Sequence, residues 1–206
     1  MRSVTAKVSE EDRMRSDLYG LLARLLLVKP DNDILNNVSA LHGDETPLGE
    51  AFTALARVAA GSDQAEVGAE YDALFIGMTR GEVLPYGSYY LTGFLNEKPL
   101  AVLRNAMIEL GIEREPARKE PEDHMGALME MMAGLIRGAY GHPASLETQA
   151  RFFHRHIEPW GAHLFADIEK AASSRFYQPV GTIGRLFINI ERDAFEMDAA
   201  RLEETA

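Results

Sequence analysis

The chain has 206 residues, a net charge of −11, 46% apolar residues and no cysteine. This length fits one domain or two small intertwined ones, and the apolar content is enough for a sizeable core. The missing thiols exclude a disulfide scaffold, thiolate metal sites and thiol catalysis, and the acidic balance argues against a nucleic-acid binder, which needs a basic face. An acidic surface suits a basic partner through long-range attraction, and it serves solubility equally well.

The opening stretch MRSVTAKVSEEDRMRSDLYG has no apolar core followed by a cleavage site, so it does not read as an export signal. The longest nearly apolar run, LYGLLARLLLV, is too short to cross a bilayer and contains Arg24. No stable membrane insertion is expected, and a cytoplasmic location is the expectation. Ser9 is the predicted N-cap of a first helix, with Asp12 three positions on. Met14, Leu18, Leu21, Leu22, Leu25 and Leu26 then recur at helical spacing until Pro30. Ile34 to Leu41 reads as a short helix or turn. Leu48, Phe52, Leu55, Ala56 and Ala59 mark a long helix closed by Gly61. Ser62 or Asp63 caps the next, which carries Val67, Tyr71, Leu74 and Phe75.

The helical period is lost over IGMTRGEVLPYGSYYLTG, where Gly77, Gly81, Gly87, Gly93 and Pro85 predict an ordered, tyrosine-rich loop near 77–93. Helix resumes at Pro99 with Leu100, Leu103, Met107 and Leu110, and Gly111 is the predicted C-cap. IEREPARKEPE is a charged linker near 112–121. Four helical pieces follow. One holds Met125, Leu128, Met129, Met132, Leu135 and Ile136, and another runs from about Ser145 to Ile157. A third starts near Pro159 with Leu164, Phe165 and Ile168, and the last carries Val180, Ile183, Leu186, Phe187 and Ile190. Two-residue alternation is missing over any useful length, so no sheet is expected. The prediction is an all-α fold, a single globular multi-helix bundle over residues 1–206.

Motifs that carry chemistry are mostly missing. The glycines near 77–87 are too scattered for a phosphate loop, and YGSYY lacks the strand that leads into a nucleophile elbow. His154 and His156, two apart, do not lie side by side on a helix, and neither His-Glu-x-x-His nor Glu-x-x-His occurs. No catalytic residue, metal ligand or cofactor is assigned. The stretch EPEDHMGALMEMMAGL, from Glu120 to Leu135, stands out instead. Pro121 suits a helix start, and Glu122 and Asp123 in a first turn favour the helix dipole. His124 is expected at the rim of the packed face. An Asp-His pair there is either a cap or part of a binding surface, and histidine titrates near neutrality.

Four segments line up: EYDALFIG at Glu70 to Gly77, GEVLPYGSYYLTG at Gly81 to Gly93, EPEDHMGALMEMM at Glu120 to Met132, and the tail RFFHRHIEPWGAHLFADIEKAASSRFYQPVGTIGRLFINIE. Together they resemble the TorD/DmsD family of chaperones for molybdenum-containing redox enzymes, which is related to the nitrate reductase assembly chaperones. The resemblance covers about Met14 to Glu191. It implies an all-α protein of the cytoplasm without enzymatic turnover as its main role. Its partner would be the twin-arginine signal peptide and apoprotein of a molybdopterin-containing oxidoreductase, held back from export until the cofactor is inserted. The family's peptide site maps onto Leu74, Phe75, Pro85, Tyr86, Ser88, Tyr90, Pro121, Glu122, Asp123 and His124, with Tyr86 standing where the family often has tryptophan. A guanidinium fork pairs with carboxylates, for which Glu122 and Asp123 are the candidates. An apolar groove would come from Leu74, Phe75 and the tyrosine loop. Plain core packing is the competing reading for Leu74 and Phe75. Two other functions remain: an assembly factor for a folded redox subunit, and a helical metal-dependent hydrolase using Asp123 and His124.

Overall fold

The computed structural model describes residues 8–114 and 120–204. Among them are ten α-helices, one π-helical turn and no strand, so the all-α expectation is borne out. The central part of the expected charged linker, residues 115–119, lies outside the described residues. The chain forms two compact units, Met1–Leu27 with Tyr86–Pro159, and Val28–Pro85 with Trp160–Ala206.

The first unit is built on α1 (Glu10–Leu27) and α7 (Met125–Arg137), which pack along their lengths. Ser9 caps α1 as predicted: its Oγ accepts from Asp12 N at 3.0 Å. α7 is rich in Met, Leu and Ala, all good helix formers, and only Glu130 and Arg137 of its residues are exposed. A helix apolar nearly all round belongs at the centre of a core. A Cβ at Gly126 would lie 2.6 Å from Leu27 Cγ, so the missing side chain lets the two helices close. Ser16 Oγ donates to Ala133 O at 3.0 Å in the same seam, satisfying a buried hydroxyl. Around this pair lie α5 (Gly87–Thr92), α6 (Lys98–Glu109) and α8 (Leu146–His156). Ser145 caps α8 at Thr148 N, and the C-cap of α6 is Leu110, not Gly111 as expected, with Gly111 after it at φ 68°.

The expected loop near 77–93 divides in two. Residues 77–86 are irregular apart from a single bridge at Tyr86, but Gly87–Thr92 is helical. Six residues are too few to show a helical period in sequence. Their N-terminal N–H groups are satisfied by Asp123, a partner far along the chain.

The second unit holds α2 (Asn32–Ser39), α3 (Pro47–Ala60), α4 (Gln64–Tyr71) and α10 (Tyr177–Glu204), with most of α9 (Glu158–Lys170). α3 packs against α2 and α10. Asp31, Thr46 and Asp63 cap α2, α3 and α4 through side-chain oxygens. Gly184 faces Phe165, where a Cβ would come within 2.4 Å of the ring, and this brings α10 onto α9. The helix expected to run through Phe75 changes at Asp72 into a π turn, Asp72–Ile76. Gly77, at φ 63°, ends it by donating to Asp72 O at 2.7 Å. The chain then returns, and Glu82 N and Val83 N take Ala73 O and Leu74 O at 3.1 and 2.9 Å. Those carbonyls are therefore not available to a further helical turn.

Glu70 fastens α10 to α4. Its carboxylate accepts from Arg175 N, Phe176 N and Tyr177 N at 2.9, 3.0 and 2.8 Å, capping the start of α10. Beside it Tyr71, Phe75 and Tyr177 pack edge to face or tilted, with centroids 5.2–6.2 Å apart. Glu70→Ala leaves three N–H groups without that acceptor and is expected to lower stability by about 1–3 kcal/mol. A thermal melt measures this, and Glu70→Gln, which keeps one acceptor oxygen, should fall between the two.

Candidate functional site

The sequence brings chemistry-bearing residues together in the first unit, where the segment before α7 meets the start of α5. His124 N donates to Pro121 O at 3.1 Å, closing a turn, and His124 O starts α7 by accepting from Ala127 N and Leu128 N. Tyr86 and His124 form an antiparallel bridge. From it, Gly87 N reaches Asp123 O at 2.9 Å and Ser88 N reaches Asp123 Oδ2 at 2.7 Å. The Tyr86 ring stands edge to face on His124 at 5.2 Å, and its hydroxyl donates to the Glu120 carboxylate.

This arrangement corrects two expectations, the place of the acids in the helix and the exposure of His124. Pro121, Glu122 and Asp123 lie before α7, not in its first turn, because the helix begins at Met125. His124 is the N-cap, and its Nδ1 accepts from Gly126 N at 3.1 Å, which places the ring proton on Nε2 in the neutral form. The ring is not at a rim: His124 is 5% exposed, covered in part by Tyr86. Glu122 and Asp123 are buried as well, at 7% and 3%.

A buried carboxylate needs a partner, and Glu122 has two. Arg104 Nη2 and Nε both donate to its Oε2, at 2.8 and 3.2 Å, and Arg114 Nε lies 3.6 Å from Oε1. Burial works against ionisation here. The Arg104 hydrogen bond, the backbone and the charges of Arg104 and Arg114 outweigh it and hold the Glu122 carboxyl below the usual carboxylate range. Glu122, expected to serve a ligand, is thus engaged inside the chain. The arginines were missed in the sequence, where α6 shows only an apolar stripe interrupted by Arg104. Asp123 differs. Its Oδ2 holds Ser88 N, but its Oδ1 is buried and has no hydrogen-bond partner among the described residues. An unsatisfied carboxylate oxygen of this kind costs free energy until a donor reaches it.

The other expected residues are distributed as follows. Ser88 is fully buried, and its Oγ accepts from Asn96 N at 3.2 Å. Tyr90 is half-buried, its ring at right angles to Tyr89 with centroids 6.0 Å apart. Leu74, Phe75 and Pro85 belong to the second unit. Leu74 is 0% exposed and Phe75 packs on Tyr71 and Tyr177, so both serve the core of that unit. Among the described residues no three His, Asp or Glu side chains come together in a metal-binding group. No described helix is long and apolar enough to cross a membrane.

Comparison with known proteins gives these features a family. The family model described as nitrate reductase delta subunit matches residues 42–166, more than half of the chain. Chaperone protein TorD of Vibrio cholerae serotype O1 is 33% identical over 104 residues, 47% of each chain. TorD of Photobacterium profundum is 30% identical over 143 residues, 61% of this chain and 65% of that protein. The Tat proofreading chaperone DmsD of Salmonella typhi is 32% identical over 119 residues, 56% of this chain and 55% of that protein. The matched part thus spans about half to two thirds of these curated relatives. A crystal structure of a candidate redox enzyme maturation protein from Archaeoglobus fulgidus shares the fold, with a TM-score of 0.60 at 20% identity over 91% of this chain and 99% of the other. With the family model matched over more than half its length, the chain belongs to the nitrate reductase delta subunit family, alongside the TorD and DmsD chaperones it resembles.

Proposed function

We propose that the protein is a redox-enzyme maturation chaperone that binds the twin-arginine signal peptide of a molybdopterin-containing oxidoreductase. On this reading it acts in the cytoplasm, delays export of the apoprotein and assists its assembly, without turnover of its own. The observation that carries the reading is the buried Asp123 Oδ1, an acceptor with no donor among the described residues. A guanidinium supplies several N–H donors in a fixed plane and is the side chain best suited to such a carboxylate. The turn around it is positioned by His124 and Ser88, not by a ligand, and Oδ1 is covered, so a guanidinium reaches it only when that cover moves. The names of the relatives, TorD and Tat proofreading chaperone DmsD, point to the same class of client.

Titration with a synthetic twin-arginine signal peptide tests this. Binding is expected and should weaken as salt is raised, because a chain of net charge −11 attracts an arginine-bearing ligand through a screened field. A peptide with lysines in place of the two arginines should bind less tightly. No binding of either peptide, with capture of the folded client subunit instead, would favour an assembly factor that ignores the signal.

A further inference from the structure

The packed pair α6 and α8 leaves a cleft of about 40 Å³ that opens to solvent, and no residue of the turn before α7 lines it. Thr148, Arg151, Phe152, Arg155 and His156 line it from α8. Ala106, Glu109 and Leu110 line it from α6. Steps of three and four residues put Thr148, Arg151, Phe152 and Arg155 on one face of α8.

Arg151 and Arg155 are exposed, and neither guanidinium donates a hydrogen bond to, or forms an ion pair with, a described residue. Elsewhere in the unit Arg15, Arg104, Arg114 and Arg137 each meet a carboxylate. Arg13 and Arg24 meet none, but they stand singly on α1. Glu109, the acid that lines the cleft, makes no ion pair with either arginine of α8. Basic residues in the last turn of a helix suit its dipole, which accounts for Arg155 and not for Arg151 a turn earlier. Like charges four apart on a helix repel, and an anion between them removes that repulsion. The rest of the lining supplies what an anion needs. Thr148 Oγ1 accepts from Ser145 Oγ at 3.0 Å, so its own O–H is left to donate. Phe152, Ala106 and Leu110 form an apolar wall, beside which a guanidinium–anion pair is less screened than in open water.

We propose that the α6–α8 cleft is an anion site that takes one carboxylate or phosphoryl group between the guanidiniums of Arg151 and Arg155, with Thr148 as a further donor. The site is independent of the signal-peptide reading. Size and charge select the ligand. Pockets for whole small molecules run to about 300–1,000 Å³. A cleft of about 40 Å³ has room for the acid group alone, so a nucleotide or cofactor would lie mostly outside it. Two planar donor forks match the paired oxygens of a carboxylate or phosphate, whereas a cation would face two charges of its own sign. Such a group has two sources, a free small anion and the acidic side chain of a partner protein. His156 reports occupancy, because its ring shares the cleft with Glu109, Arg151 and Arg155 and is kept neutral by burial and by the charge of Arg155. An anion beside it favours the imidazolium and raises its pKa from about 4.

Titration of the full chain, followed by the NMR resonances of the His156 ring, tests the proposal. The probes are sodium phosphate, sodium acetate and two short capped alanine peptides, one with a central glutamate and one with glutamine there. Sodium chloride at matched ionic strength is the control. Phosphate, acetate and the glutamate peptide should shift His156 saturably, with Kd about millimolar, and raise its pKa by about one unit. Chloride and the glutamine peptide should do neither. Arg151→Gln and Arg155→Gln change exposed positions, and each should weaken binding about tenfold without moving the melting curve. Glu109→Gln removes a repelling carboxylate and should strengthen binding about threefold. Tighter binding of the glutamate peptide than of acetate assigns the site to a partner's acidic side chain, and the reverse assigns it to a free anion. The proposal is overturned by an equal response to chloride, by no saturable response to any of the three anions, or by wild-type affinity in both arginine variants.

Discussion

Asp123→Asn is expected to weaken twin-arginine peptide binding by about thirtyfold or more while leaving the fold largely intact. The side chain keeps its size, and its amide oxygen can still accept from Ser88 N, the bond now made by Asp123 Oδ2 at 2.7 Å. The amide nitrogen then takes the place of Oδ1. A buried acceptor without a donor becomes a donor facing a guanidinium, and the charge is lost. Removing one partner from a buried charged hydrogen bond at an interface costs about 2–5 kcal/mol. Asp123→Ala behaves differently, because Ser88 N also loses its acceptor. It should lower stability by about 1–3 kcal/mol in addition to its effect on binding. Titration and melting of both variants separate the two roles. Wild-type affinity in Asp123→Asn would show that the carboxylate does not receive the peptide, and would leave Asp123 as the residue that fastens α5.

Asp123 also shows how far the sequence could be read. Several helix caps were legible, because Ser9, Asp63 and Gly61 act locally and their chemistry is visible within four residues. The long helices were legible because an apolar stripe at three-and-four spacing has to be buried. The π turn at Asp72–Ile76 was not. Its apolar spacing is that of a helix, and the chain returning through Gly81 to Val83 decides the outcome by taking the carbonyls of Ala73 and Leu74. The EPEDH segment was legible as a place but not as an environment. Two acids before a helix read as exposed dipole partners. Here they are buried, because Arg104, eighteen residues earlier, pairs with Glu122, and because α5 docks its first N–H groups on Asp123. Those partners are set by tertiary packing, which local spacing does not encode. Leu74 and Phe75 carry the same lesson: a motif that resembles a binding element supplies its apolar residues to the core first.

Acid should destabilise this protein well above the usual carboxylate range, and His156 should account for a measurable part of that. His156 ends α8, is 8% exposed and has its ring 5.1 Å from that of Phe152. Burial, assisted by the charge of Arg155, lowers its pKa from 6.5 to about 4. Glu109, Arg151 and Arg155 line the same shallow cavity, so the one acid there does not offset the burial. Above pH 6.5 the imidazole is neutral in both folded and unfolded chains, and stability does not depend on it. Between 6.5 and about 4 the unfolded chain takes up a proton that the folded one refuses, so stability falls as pH falls, and it levels off below about 4. At 1.36 kcal/mol per unit, the loss between pH 7.5 and 5 is about 2 kcal/mol, a large fraction of a typical stability of about 5–15 kcal/mol. Glu122 and Glu169, whose carboxyls are held below their ordinary values, lose their contributions only at lower pH, so the upper part of the window separates histidine from carboxylate effects. Denaturant titrations of the wild-type chain and His156→Gln at pH 7.5 and 5 measure it. The variant should lose about 2 kcal/mol less than the wild type over that interval. Equal losses in the two proteins would place the imidazole in contact with water and remove the buried neutral histidine from the account of this unit's stability.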